Sequence, residues 1–94
     1  MHVAALEVDL HLPNCHSLKE KRAVLKSILN GAHNRFGVAV AEVGHQDKWQ
    51  RAALGFATVS GSAGHADDVI DKVERFVYSF PEVEVIEAVR GVDA

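Results

Sequence analysis

Leu6-Glu7-Val8-Asp9-Leu10-His11-Leu12 decides the architecture. Apolar and polar side chains alternate there with a period of two, the pattern of a strand with one face buried and the other in water. Pro13-Asn14 breaks the run, because proline cannot donate to a strand ladder and the pair favours a turn.

Downstream, Ser17-Leu18-Lys19-Glu20 has the form of a capping box. Ser17 is expected as N-cap, with Glu20 folded back onto the Ser17 amide. Leu18, Leu25, Ile28, Leu29, Ala32 and Phe36 follow at helical spacing and form one apolar stripe, and Gly37 is placed to end the helix. Residues 38–43 read as a second strand and 52–60 as a third. The polar connection Gly44-His45-Gln46-Asp47-Lys48 joins them as a hairpin. Gly61-Ser62-Ala63-Gly64 reads as a turn that lacks the lysine of a phosphate loop. A second helix is expected over about 65–80, with Ala66, Val69, Ile70, Val73, Phe76, Val77 and Phe80 in phase. Pro81 stops it, and valine-rich residues 82–90 supply a fourth strand.

The order β-α-β-β-α-β predicts an α+β, ferredoxin-like sandwich: a four-stranded antiparallel sheet with both helices on one face. The right-handed crossover rule puts the first and third strands at the centre. Glu7, Asp9 and His11 then point away from the helices. On the third strand Leu54 and Phe56 are expected to meet the helices, leaving Ala53, Gly55, Ala57 and Val59 outward. A register slip of one residue would exchange these two sets.

Ninety-four residues suffice for one domain, expected to span 1–94. A chain this short buries a modest share of its surface, so self-association would help it. A net charge of -3 argues against a general nucleic-acid coat but permits a local basic patch. Cys15 stands alone, so no intramolecular disulfide is expected and a reducing compartment fits. The first residues enter the strand pattern without a leader-like apolar run, and no apolar stretch is long enough for a bilayer. A soluble cytoplasmic protein without membrane partners is the expectation.

Lys19, Lys21 and Arg22 fall in the opening turns of the first helix, where the macrodipole disfavours cations. Asp67, Asp68 and Asp71 open the second helix in accord with the dipole. Cations beside free helix-start amides suit an anion, phosphate above all. On a helical wheel Lys19, Arg22, Lys26 and His33 form a stripe beside the apolar face, able to follow a nucleic-acid backbone. The alternative is a solvated face whose charges are offset by nearby acids. Trp49 lies in the polar run Asp47-Lys48-Trp49-Gln50-Arg51. Tryptophan beside arginine suits an interface or base stacking, or equally a tryptophan packed at the sheet edge with Arg51 on its ring.

The histidines, at 2, 11, 16, 33, 45 and 65, lack metal-ligand spacing, so neither metal nor cofactor is expected. No nucleophile, base and orienting group come together in the pattern. Cys15-His16 is a poor pair because adjacent side chains rarely aim at one point. A non-enzymatic protein is expected.

Three runs carry a resemblance: Ser17-Leu18-Lys19-Glu20-Lys21-Arg22, Val40-Ala41-Glu42-Val43, and Asp47-Lys48-Trp49-Gln50-Arg51-Ala52-Ala53-Leu54-Gly55. They are similar to the YlxP-like family, a bacterial domain of unknown function, over essentially the whole chain. The resemblance implies a ferredoxin-like fold and a gene neighbourhood shared with translation factors, hence an association with RNA or the ribosome. It carries over no catalytic residue. Relatives often have asparagine where this chain has Gly37.

Two expectations follow. In the first, the chain is an accessory protein binding RNA, ribosomal RNA or the ribosome, through Lys19, Lys21, Arg22, Lys26 and His33 with Trp49, Gln50 and Arg51. In the second, it is a protein-interaction or homodimerisation module using the open sheet face around Ala53, Gly55, Ala57 and Val59.

Overall fold

The computed structural model describes residues 1–91. Its elements run β1 (His2–His11), α1 (Leu18–Phe36), β2 (Ala39–Gly44), β3 (Arg51–Ser60), α2 (Ala63–Tyr78) and β4 (Glu84–Arg90). The strands form one antiparallel sheet in the order β2-β3-β1-β4. This is the expected ferredoxin-like arrangement, with β1 and β3 at its centre.

Leu6, Val8 and Leu10 of β1 and Leu54 and Phe56 of β3 are buried beneath Leu25, Ile28 and Ala32 of α1 and Ile70, Val73 and Val77 of α2. Pairing sets Leu6 against Phe56 and Val8 against Leu54. The register is therefore the one read from the alternation, and Ala53, Gly55, Ala57 and Val59 lie on the face without helices. Because side chains change sides at every residue, a single slip would have put the alanines in the core.

The helices meet where α1 has no side chain. An added Cβ on Gly31 would stand 2.6 Å from Phe76 Cζ of α2. Phe76 packs edge-on between Phe36, at 5.7 Å, and Phe80, at 5.1 Å between ring centroids. Only glycine lets the backbone of α1 approach that aromatic row.

Two helix starts differ from expectation. Ser17 caps α1 by accepting from the Glu20 amide at 3.1 Å, as expected. The Glu20 carboxylate, however, accepts from the amide of His16 at 2.8 Å, one residue before the cap. α2 begins at Ala63 with Ser62 as its N-cap, so residues 61–64 are not all turn. Asp67 and Asp68 consequently lie beyond the first turn of α2, which holds no acid. The opposition between an acidic and a basic helix start is therefore weaker than the sequence suggests.

Gly37 ends α1 with φ 66, and its amide donates to the His33 carbonyl at 2.9 Å. Nothing lies within 4 Å of a Cβ added there, so substitution meets only the conformational penalty of the left-handed region, about 1–2 kcal/mol for most residues and less for asparagine. Gly37→Ala is expected to lower the thermal midpoint by roughly 4–10 °C, and Gly37→Asn by less than half as much. Equal losses in calorimetry would contradict this reading of the helix exit.

Candidate functional site

The three family-like runs converge at one end of the sheet. Lys21 is the key to that end. It is 1% exposed, the one buried charged side chain among the described residues. Its ammonium donates to the His45 carbonyl at 2.6 Å and lies 2.9 Å from Glu42 Oε2 of β2. The approach to Glu42 is off the hydrogen-bonding direction, so that contact is chiefly charge and the carbonyl receives the directed bond. A buried ammonium is tolerated only with such partners.

Lys21 thereby pins α1 to the β2–β3 connection. His45 has φ 57, an uncommon value for a residue with a side chain, and the Lys21 bond holds its carbonyl in place. The expectation that Lys21 belongs to an exposed anion-binding patch is corrected: its charge is used inside the molecule. Its position was legible. Lys21, Leu25, Ile28 and Ala32 are spaced 4, 3 and 4 apart, in phase with the apolar stripe.

Gln50 is also structural. Its side-chain amide donates to the Pro13 carbonyl at 3.3 Å and the Cys15 carbonyl at 3.1 Å, while its backbone carbonyl accepts from the Leu12 amide at 2.9 Å. These bonds tie the β1–α1 connection to the start of β3. Arg51 turns onto the open face, where Nη2 donates to Asp9 Oδ2 at 2.7 Å. His45 Nε2 stands 3.7 Å from the other Asp9 oxygen. Gln50 and Arg51 are thus committed inside the molecule, and Arg51 does not cover the tryptophan ring.

What remains free is a smaller set. Lys19, Arg22 and Lys26 are exposed, and none is within ion-pair distance of a carboxylate among the described residues. Gly31, which faces α2, stands roughly 150° around the helix from this stripe at 100° per residue, so the cations point away from the second helix. His33 continues the stripe, but its Nδ1–H donates to the Val38 carbonyl at 3.0 Å. The carbonyl can only accept, so Nδ1 carries the proton. At the helix start the Glu20 amide is taken by Ser17 Oγ and the Glu20 carboxylate lies beside the cap on the His16 amide, so an anion would meet the side chains along α1 more than its first amides.

Trp49 is 53% exposed. It lines an open groove of about 500 Å³ with His16, Lys48 and Gln50. Much of the indole is therefore open to solvent beside His16, in the segment that leads into α1. Cys15, by contrast, is buried. Burial raises its thiol pKa, Glu20 adds to the rise, and Lys21 opposes it. The conditions for a reactive thiolate are absent at this thiol.

Two expected outcomes follow. Lys21→Ala strands the Glu42 carboxylate and leaves the His45 carbonyl without its donor. It should cost about 3–5 kcal/mol in urea unfolding; Lys21→Met combined with Glu42→Leu should recover more than half of that. Loss of less than about 1 kcal/mol in the alanine variant would show the tie to be dispensable. For Cys15 the folded pKa lies above the unfolded one, so its contribution is full below the ordinary thiol value of 9.0 and declines as pH rises through the folded value. Unfolding midpoints measured upward from pH 8 should fall more steeply for the parent than for Cys15→Ala; parallel profiles would contradict the sign.

Comparison with known proteins shows the family. A family model described as Protein of unknown function (DUF503) matches residues 3–90, a span containing Lys21, Glu42, Trp49 and Gln50. The chain is 50% identical over 78 residues to "Uncharacterized protein YlxP" of Bacillus subtilis (strain 168), covering 83% of this chain and 85% of that one. The chain therefore belongs to the YlxP-like family of proteins of unknown function (DUF503).

Proposed function

We propose that this chain is a non-enzymatic, cytoplasmic accessory protein that binds single-stranded RNA, in the setting of the ribosome. Phosphates lie along Lys19, Arg22 and Lys26, and an unpaired base stacks on Trp49. The observation that carries the reading is the exposed stripe itself. Three cations stand together on one side of α1 without ion-pair partners among the described residues, in a chain of net charge -3. Lys21, Arg51 and Arg90 are each matched by a carboxylate; Arg35, Lys72 and Arg75, also without one among the described residues, stand at the far end of the helices, where Arg35 lies over the Phe36 and Phe76 rings and away from Trp49. Unmatched charge concentrated on one helix side favours a polyanion, whose binding releases counterions.

Trp49 adds the second component. Stacking on an exposed indole is tolerant of base identity and is worth about 1–3 kcal/mol per base. The open sheet face is less suited to RNA. Glu7, Asp9 and Glu87 point out of it and would repel a phosphate backbone laid across the strands. It also lacks the paired aromatic side chains with which sheet platforms stack bases. No helix among the described residues is long and apolar enough to cross a membrane.

The test is fluorescence anisotropy with a labelled single-stranded RNA, read over a range of salt. Lys19→Ala/Arg22→Ala/Lys26→Ala should weaken binding at least about tenfold and reduce the slope of log affinity against log salt by about 2, as expected for three lost phosphate contacts. Trp49→Ala should weaken binding about 5- to 100-fold with the slope kept. Unchanged affinity in the triple variant overturns the assignment.

A further inference from the structure

Away from Trp49, the two helices flank an open groove of about 380 Å³. Arg35 and Phe36 of α1 line one side, and Lys72, Arg75, Phe76 and Ser79 of α2 line the other. Residues 75, 76 and 79 follow Lys72 by three, four and seven positions, so all four share one side of α2. The volume falls in the lower part of the range for small-molecule sites, about 300–1,000 Å³.

The charge of this groove is not balanced from within. Arg35, Lys72 and Arg75 have no carboxylate within ion-pair distance among the described residues. Asp71 and Glu74, their neighbours in sequence, are held instead by Arg90 at 2.8 and 2.7 Å. Asp68 precedes Lys72 by one turn on the same side of α2, yet it forms no ion pair with it. The helix dipole favours Arg35 and Arg75, each in the last turn of its helix. It does not account for Lys72 in the middle of α2, nor for the aromatic rings in the same groove.

Those rings position Arg35. Its Cζ stands 5.2 Å from the Phe76 ring centroid and 5.6 Å from that of Phe36. Attraction to the rings orients the guanidinium without committing its N–H groups to an oxygen. Helix-end carbonyls, which would repel an anion, are already taken. Ser79 Oγ donates to the Phe76 carbonyl at 2.6 Å, and the Gly37 amide donates to the His33 carbonyl at 2.9 Å.

We propose that this groove binds a small organic phosphate monoester. Its phosphate carries a charge of about -1.5 to -2 on three acceptor oxygens, which suits two guanidinium forks and one ammonium. The organic part lies against Phe36 and Phe76, both half-buried. A carboxylate or a phosphodiester would bring a single charge to three cations. A bare inorganic anion would leave the exposed ring carbon in water. Arg35 stands roughly 160° around α1 from Lys19 at 100° per residue, so the groove is separate from the cationic stripe and independent of the RNA reading.

NMR titration of the isotope-labelled protein tests the proposal, with phenyl phosphate, inorganic phosphate, benzoate and penta-glutamate as probes. Near pH 7.5 the monoester is chiefly a dianion, its second pKa being about 6. Phenyl phosphate should move the Arg35 side-chain N–H and the amides of residues 72–79. It should saturate with a Kd of about 1–10 mM, as fits an open site and a small ligand. Inorganic phosphate and benzoate should each bind at least about fivefold more weakly, having lost either the apolar part or a charge. Arg35→Gln should weaken phenyl phosphate binding at least about fivefold, and so should Lys72→Gln/Arg75→Gln, at two exposed positions that keep the aromatic row intact. The Lys19/Arg22/Lys26 triple alanine variant should bind phenyl phosphate like the parent, which separates this claim from RNA binding. No saturation below about 30 mM overturns the proposal. So does equal affinity for inorganic phosphate or benzoate, or unchanged binding in the Lys72/Arg75 variant. Tighter binding of penta-glutamate would make the groove a dock for an acidic protein segment and overturn it as well.

Discussion

One ammonium group organises the functional end of this protein. Lys21 rises from the second turn of α1 into a site closed to water, where the His45 carbonyl and the Glu42 carboxylate receive it. Dehydrating a charge costs several kcal/mol, and only this set of partners offsets it. The bond therefore demands that helix, edge strand and hairpin loop occupy fixed relative positions. Gln50 then bridges from the hairpin back to the Pro13–Cys15 segment, completing a ring of contacts around the start of α1. Each of the runs 17–22, 40–43 and 47–55 contributes a side chain to that ring.

Once those structural commitments are subtracted, the remaining surface has two characters. The side of α1 turned away from α2 carries Lys19, Arg22 and Lys26 in water, close in sequence to the buried lysine but opposite to it in role. The bare side of the sheet carries exposed valines at one end and paired charges at the other. Helix stripe and open face lie on opposite sides of the sheet.

The sheet was readable from the sequence because its signal is local. Leu6, Val8, Leu10 and Leu54, Phe56 declare their faces by alternation alone, and the β3 register followed from them. The roles of the polar residues were less readable because they depend on partners far along the chain. Lys21 meets Glu42 and His45, Gln50 meets Pro13 and Cys15, and Arg51 meets Asp9. Composition gives all of them the look of one basic and aromatic surface; contact separates buried ties from free cations. Helical phase was the neglected clue for Lys21. The misplaced start of α2 has a simple cause. Ser62 caps the helix by accepting from the His65 amide, so α2 starts two residues before the expected position, which moves Asp67 and Asp68 out of the first turn.

The division between a buried lysine and a free stripe is tested most directly by amide and indole NMR shifts during titration with a short single-stranded RNA. The expected result is movement of the Trp49 indole N–H and of the amides of residues 18–26, saturating together, with the amides of Gly55 and Ala57 unmoved. Shifts confined to the sheet face, or none at all, would contradict it.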